Sequence, residues 1–296
     1  MIALDTMLRH TRAAAVLLAL PLSFGCVKTP TPTTPPPTPP PAADPGPVTA
    51  AQVGDTVFDA WFSMQPVTAT AFGDHRYDGR WPDLSAAGIA ADLERIETGL
   101  TAVAAVDRSH ASVDDVVDLG ILETELLRQK FAHEVEQPWR GDPLWYATIL
   151  GNGLEDLVSR DYAPITERAQ STAARLEALP AVVDQAINNL TAAETMKPHA
   201  TVALAQLAGI KILINEVIPA RVSGARPTDR ERVAAATEAA STAIDTLAAA
   251  INDDLLPNAD GQWRLGPVNF ERKLRLTLGT DLTGSEIRRA AILEHA

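Results

Sequence analysis

The chain has 296 residues and carries 25 Lys+Arg against 38 Asp+Glu, a formal net charge of −13. That sign, with no basic run anywhere, argues against nucleic acid as a partner, because sequence-independent affinity for it rests on clustered cations. A hydrophobic fraction of 46% with only 5% aromatics implies a sizeable core of Ala, Leu, Val and Ile, better suited to helix-on-helix packing than to a β-sandwich. The single cysteine excludes an internal disulfide and a cysteine-rich metal site.

Residues 1–25 read as an export signal. Arg9 and Arg12 precede the apolar run Ala13 to Leu22, whose ten residues are too few for a membrane span of roughly 20 but suit a signal core. Ser23-Phe24-Gly25-Cys26 resembles a bacterial lipobox, in which Cys26 is lipidated and becomes the mature N-terminus. Ser23 stands where such boxes carry leucine, and Leu22 lies one step earlier. The alternative is a secreted protein with a free Cys26 thiol. Residues 26–47 form a Pro/Thr-rich linker, with ten of the 22 prolines between Thr29 and Pro47. Such a segment is expected to be disordered and extended, reaching about 60 Å. A lipid-anchored protein of the bacterial cell envelope, held to a membrane by its anchor, is the expectation. Val27 after the cysteine carries no inner-membrane retention signal.

From Val48 to Ala296 helical periodicity dominates, and strand-like alternation is almost absent. Pro66 to Asp83 reads as a polar loop. Ser112 caps a helix running to about Gln137, with Val113, Val116, Val117, Ile121, Leu127, Phe131 and Val135 as its apolar stripe and Pro138 as its stop. Helices follow from about Leu144 to Ser159 and from about Pro164 to Ala178; Pro180 opens the next. Pro198 precedes a long apolar helix ended by Pro219. Thr228 caps the alanine-rich Asp229 to Ile251, whose composition points to close helix–helix contact. Pro257 to Leu265 is a turn, and two further helices cover about Val268 to Leu278 and Ser285 onward. Thr283 and Ser285 before Glu286 make a good N-cap arrangement. The fold class is therefore all-α, a multi-helix bundle behind an N-terminal tether.

The residues offer little chemistry by motif. Among His10, His75, His110, His133, His199 and His295, no two are three or four apart, the spacing of a helix-borne zinc pair. His133-Glu134-Val135-Glu136-Gln137 ends in an amide where a zinc protease needs histidine, and reads as a polar helix face. The acidic run Asp114, Asp115, Asp118, Glu123 and Glu125 reads as solvated surface. There is no Gly-x-Ser-x-Gly elbow, and Gly151-Asn152-Gly153 reads as a helix break, either a kink permitting close packing or a sharp turn. Two segments dense in His, Arg and aromatics, Pro66 to Asp83 and Arg140 to Pro164, are the candidates for ligand contact.

These same segments carry a resemblance. Pro66, Ala69-Thr70 and Gly73-Asp74-His75-x-Tyr77-Asp78, then Arg160-Asp161-Tyr162-Ala163-Pro164 with Arg168, Arg175-Leu176 and Leu179-Pro180 form two of its motifs. The third is Phe270-Glu271, Leu274-Arg275 and Gly279-Thr280-Asp281-Leu282-Thr283. In this order they resemble bacterial domain-of-unknown-function family eight-eight-five, helical proteins often described as lipoproteins, over roughly Val57 to Ala296. The resemblance implies a helical, gluzin-like metallopeptidase fold with a zincin-like cleft between two halves. It also implies a zinc-binding His-Glu-x-x-Pro-Gly-His type segment in the C-terminal half. No such segment is present, so no catalytic residue and no metal ligand is carried over, and no cofactor is expected in this chain; zinc is implied for complete members. The expectation is an N-terminal half, truncated and catalytically incomplete alone, with a separately encoded C-terminal half and a peptide substrate as partners. His75, Arg160 and Tyr162 are expected to face the cleft and bind substrate. The rival expectation is a non-enzymatic binding or scaffold lipoprotein of the envelope.

Overall fold

The computed structural model describes residues 48–294; the signal, lipobox and linker expectations fall outside them. Among the described residues the secondary structure is helical and contains no strand. Thr49 caps α1 (Ala50–Met64) through a capping box with Gln52. The segment read as a loop is itself largely helical. Pro66 starts α2 (Pro66–Phe72), Gly73 ends it at φ 91°, and a 3-10 turn covers His75–Tyr77. Ser85 caps α3 (Ala86–Ala104), and Ser112 caps α4 (Val113–Phe131) with Asp115 completing the box. A π-turn, Ala132–Glu136, prolongs α4 to Gln137, where the expected stop falls. Gln137, before Pro138, leaves the right-handed helical region for a left-handed φ of 44°, and its N–H closes the wide turn on the Ala132 carbonyl.

Next come α5 (Pro138–Gly141) and α6 (Pro143–Ser159), the latter capped by Asp142. Gly151-Asn152-Gly153 does not break α6. Gly153 permits close packing instead: a Cβ there would lie 2.2 Å from the Trp81 ring. Pro180 does not open a new helix either; it lies inside α7 (Ile165–Asn189). Its missing N–H forgoes one backbone bond, which the burial of Leu176, Leu179, Val182 and Val183 around it outweighs. In the same way α8 (Lys197–Ile212) runs through a π-turn into α9 (Ile218–Arg221), where Pro219 sits in a first turn that needs no donor. Lys197–Arg221 is long and apolar enough to cross a membrane by composition. Here its Ala200, Ala203, Leu207, Ile210, Ile214 and Ile218 are buried within the bundle. α10 (Pro227–Ala249) starts at Pro227 behind Arg226, one step before the expected Thr228 cap. α11 (Gly266–Leu278) and α12 (Gly284–Glu294) follow, α12 with Thr283 and Glu286 hydrogen-bonded reciprocally as its cap.

The apolar residues gather into two cores. The larger is built from α6, α7, α8 and α10 with Trp81 and Leu84, and the buried alanines of α7 and α10, Ala169, Ala173, Ala236 and Ala240 among them, let those helices approach closely. The smaller joins Val53 and Val57 of α1 with Ile96 and Val103 of α3 and Leu119, Leu122 and Leu126 of α4. The stripe expected to be the core face of α4 is therefore displaced. Val113 and Ile121 are 79% and 64% exposed, and Val116, Val117 and Leu127 are also exposed, whereas Phe131 is buried as expected. α4 is apolar around much of its girth, so periodicity alone could not say which stripe meets α1 and α3.

Candidate functional site

The segment after α2 folds back on itself because Asp74 accepts from the Arg76 N–H and starts the 3-10 turn. This places His75 flat on Tyr162, ring centroids 3.6 Å apart and planes 3° from parallel. His75 Nδ1 lies 3.0 Å from Asp78 Oδ2, and buried Asp78 also accepts from Thr70 Oγ1 at 2.8 Å. Behind them Arg175 of α7 is wholly buried. It donates to Thr70 Oγ1 at 2.7 Å and to the carbonyls of Pro66, Arg80 and Gly153. Its own carbonyl accepts from Trp81 Nε1 at 2.8 Å. Burial pushes the Arg175 guanidinium down to about 10, which still leaves it charged at neutral pH. Burial, and then the Asp78 charge, push the Tyr162 hydroxyl up; that hydroxyl feels Asp78 without completing a hydrogen bond to it.

The structure thus brings His75 and Tyr162 together and sets Arg160 apart. Arg160 is exposed, and its side chain donates among the described residues to the Ala71 carbonyl alone, at 3.4 Å. The turn it opens is held by Arg168, which donates to the carbonyls of Arg160 and Ala163, both at 3.0 Å, and pairs with Asp161 at 2.6 Å. Much of the polar density of the two motifs is consumed in such clamps, which tie α2 and the following turn to α7.

A second constellation was not expected from sequence. A cavity of about 190 Å³ lies between α1, α3 and α4, with Trp61, Trp139 and Trp145 in its wall. His133, on the π-turn, faces it and lies 5.1 Å from the Trp139 ring. Its Nε2 is 2.9 Å from Asp92 Oδ2, and Asp92 Oδ1 accepts from Arg95 Nε at 2.7 Å. Arg95 continues to Gln129 at 2.7 Å, Gln129 to Glu125 at 2.9 Å, and Arg128 grips Glu125 with two 2.7 Å bonds. Burial pushes Asp92 up, but the His133 and Arg95 hydrogen bonds outweigh it and hold the carboxyl below its usual range. An imidazole fixed by a buried carboxylate on one nitrogen can hold or pass a proton at the other. The segment read as a polar helix face thus points His133 into protein. The available signal was the four-residue spacing of Glu125, Gln129 and His133 on α4, matched by Asp92 and Arg95 on α3; what faces that stripe is a tertiary matter.

Among the described residues, no three His, Cys, Asp or Glu side chains converge as metal ligands would. The residues present do not fit the zinc implied for complete family members, and no chemistry is assigned to it.

Among the described residues this is an all-helical protein in which aromatic and charged side chains clamp α2 and the following turn onto α7. Residues 66–296 match the family described as bacterial protein of unknown function (DUF885), and the chain belongs to that family. No curated protein matches it. A solved structure from Shewanella oneidensis, described as a putative lipoprotein of unknown function, shares the fold, with a TM-score of 0.74 and 19% identity. The similarity covers 83% of this chain and 45% of that one, so the chain spans less than half the length of that relative.

Proposed function

We propose that this chain is one wall of an exported, lipid-anchored metallopeptidase-like protein, catalytically incomplete until a second helical half supplies the zinc site. The observation that carries the reading is the state of α11 and α12. From Asn252 to Glu294 no described residue is buried, and Trp263, Val268, Phe270, Leu278, Leu282, Ile292 and Leu293 are exposed. Among the described residues α11 touches the body through Lys273 to Glu136 and Arg272 over Phe131; helices of this length without a buried face are marginal in water, and exposed apolar side chains in such number are normally covered. The solved Shewanella structure is described as a putative lipoprotein, which supports anchorage through Cys26. On this reading His75 and Tyr162, with Arg160 at the margin, form the polar wall offered to a peptide substrate.

The test is metal analysis and a peptide-pool hydrolysis assay on the purified chain, beside co-purification from its native cells. The expected result is sub-stoichiometric zinc, no cleavage alone, and a co-purifying helical polypeptide with a Pro-Gly-His segment. Stoichiometric zinc with cleavage by the chain alone would overturn the reading. Anchorage is tested separately: Cys26→Ser is expected to abolish fatty-acid labelling and release the protein from membranes. The tryptophan-walled cavity supports a second reading, a non-enzymatic binding lipoprotein, which failure to recover any such partner would favour.

A further inference from the structure

The tryptophan cavity does not stand alone. It shares Trp61, Thr68, Glu125 and Arg128 with a wider groove of about 780 Å³ between α1–α2 and α4. The groove floor is aromatic: Phe58, Trp61 and Phe72 line it and, with Phe62 behind them, form a cluster with neighbouring centroids 5.7 to 6.1 Å apart. Phe72 is 69% exposed, and Ile121, opposite on α4, belongs to the uncovered stripe of that helix. The rim is acidic. Asp55, Asp115, Asp118 and Glu125 line the groove against a single cation, Arg128, and that cation is already committed to Glu125. Asp115 closes the Ser112 cap, while Asp55 and Asp118 have no cationic partner among the described residues.

An aromatic floor between unpaired carboxylates selects its occupant by charge as well as by shape. An anionic phospholipid surface would be repelled by this rim. We propose that the groove binds a cationic amphipathic peptide segment. Its apolar face lies on Phe58, Phe72 and Ile121, its lysines or arginines meet Asp55 and Asp118, and one large side chain enters the cavity walled by Trp61, Trp139 and Trp145. The proposal is independent of the second half inferred above, which concerns α11 and α12.

The test is fluorescence anisotropy on the full chain, using a labelled synthetic amphipathic helix with lysines on one face and leucine and phenylalanine on the other. Saturable binding that weakens as salt rises is expected. The double variant Asp55→Asn/Asp118→Asn is expected to weaken it about fivefold to tenfold, as loss of two rim charges would. Phe72→Ser, at an exposed position, is expected to weaken it without lowering Tm. Any one of several results would overturn the proposal. They are no binding, equal binding of a glutamate-for-lysine counterpart, salt-independent binding, and tighter binding to anionic phospholipid vesicles. Self-association abolished by the double aspartate variant would also overturn it, by making a second copy the occupant.

Discussion

At the scale of residues, Arg175 is the most committed side chain in the molecule. It is wholly buried and satisfies three carbonyls and the Thr70 hydroxyl, while Asp78 nearby supplies the opposing charge. Removing one member of a buried charged network strands the others. Arg175→Met is expected to cost about 3–5 kcal/mol in urea unfolding, and a loss below ~1 kcal/mol would show the clamp to be dispensable. Arg175→Lys should recover little, since an ammonium lacks the planar fork that reaches several acceptors. Asp92 makes a pH-dependent contribution. Its folded-state value is depressed below 3.8, so the stability it adds is complete above that value and is lost as pH falls through the folded one. Acid titration of the wild type is therefore expected to show a steeper loss below about pH 4 than Asp92→Asn does, and superimposable acid limbs would refute the pairing.

Among the elements, α4 has two apolar stripes of different consequence. Leu126 packs in the smaller core and Ile121 faces outward. Leu126→Ala is expected to cost about 2–5 kcal/mol, whereas Ile121→Ser should stay within about 0.5 kcal/mol. Equal costs would mean that the outward stripe is covered in the isolated protein. α6 carries a comparable constraint at Gly153, where Trp81 occupies the space a methyl group would need. Gly153→Ala is expected to lower stability by about 1–3 kcal/mol through displacement of the indole, measurable as a shift in the chemical-denaturation midpoint.

At the scale of the whole molecule, stability is distributed unevenly. α7 and α10 bury alanine and leucine along most of their length, while α11 and α12 bury nothing. Amide hydrogen exchange is expected to be slowest in α7 and α10 and fastest across 266–294, where exchange should slow when a partner covers that surface. Protection of 266–294 equal to that of α7 in the isolated chain would count against the proposed second half.

The helical class, the caps at Ser112 and Thr283, and the close approach of alanine-rich helices follow from local residue chemistry: side-chain oxygens beside free N–H groups, and small side chains in series. Local chemistry also marked His75 and Tyr162 as unusual. It misplaced the boundaries at Pro180, where burial on both sides outweighs one missing hydrogen bond, and at Pro219, which falls in a first turn that needs no donor. It also assigned α4 the wrong core stripe, because an apolar period gives a face and not its neighbour. His133 was legible only as a polar residue on a helix. Its partner Asp92 lies 41 positions earlier, and only the packing of α3 on α4 brings the two within hydrogen-bond reach. The sequence by itself determined which segments coil and where their ends can be capped, since those forces act within a few residues. The tertiary structure alone decided which charges meet, which aromatic rings enclose a cavity and which apolar faces remain open, because burial and Coulomb interactions depend on distance in space and not along the chain.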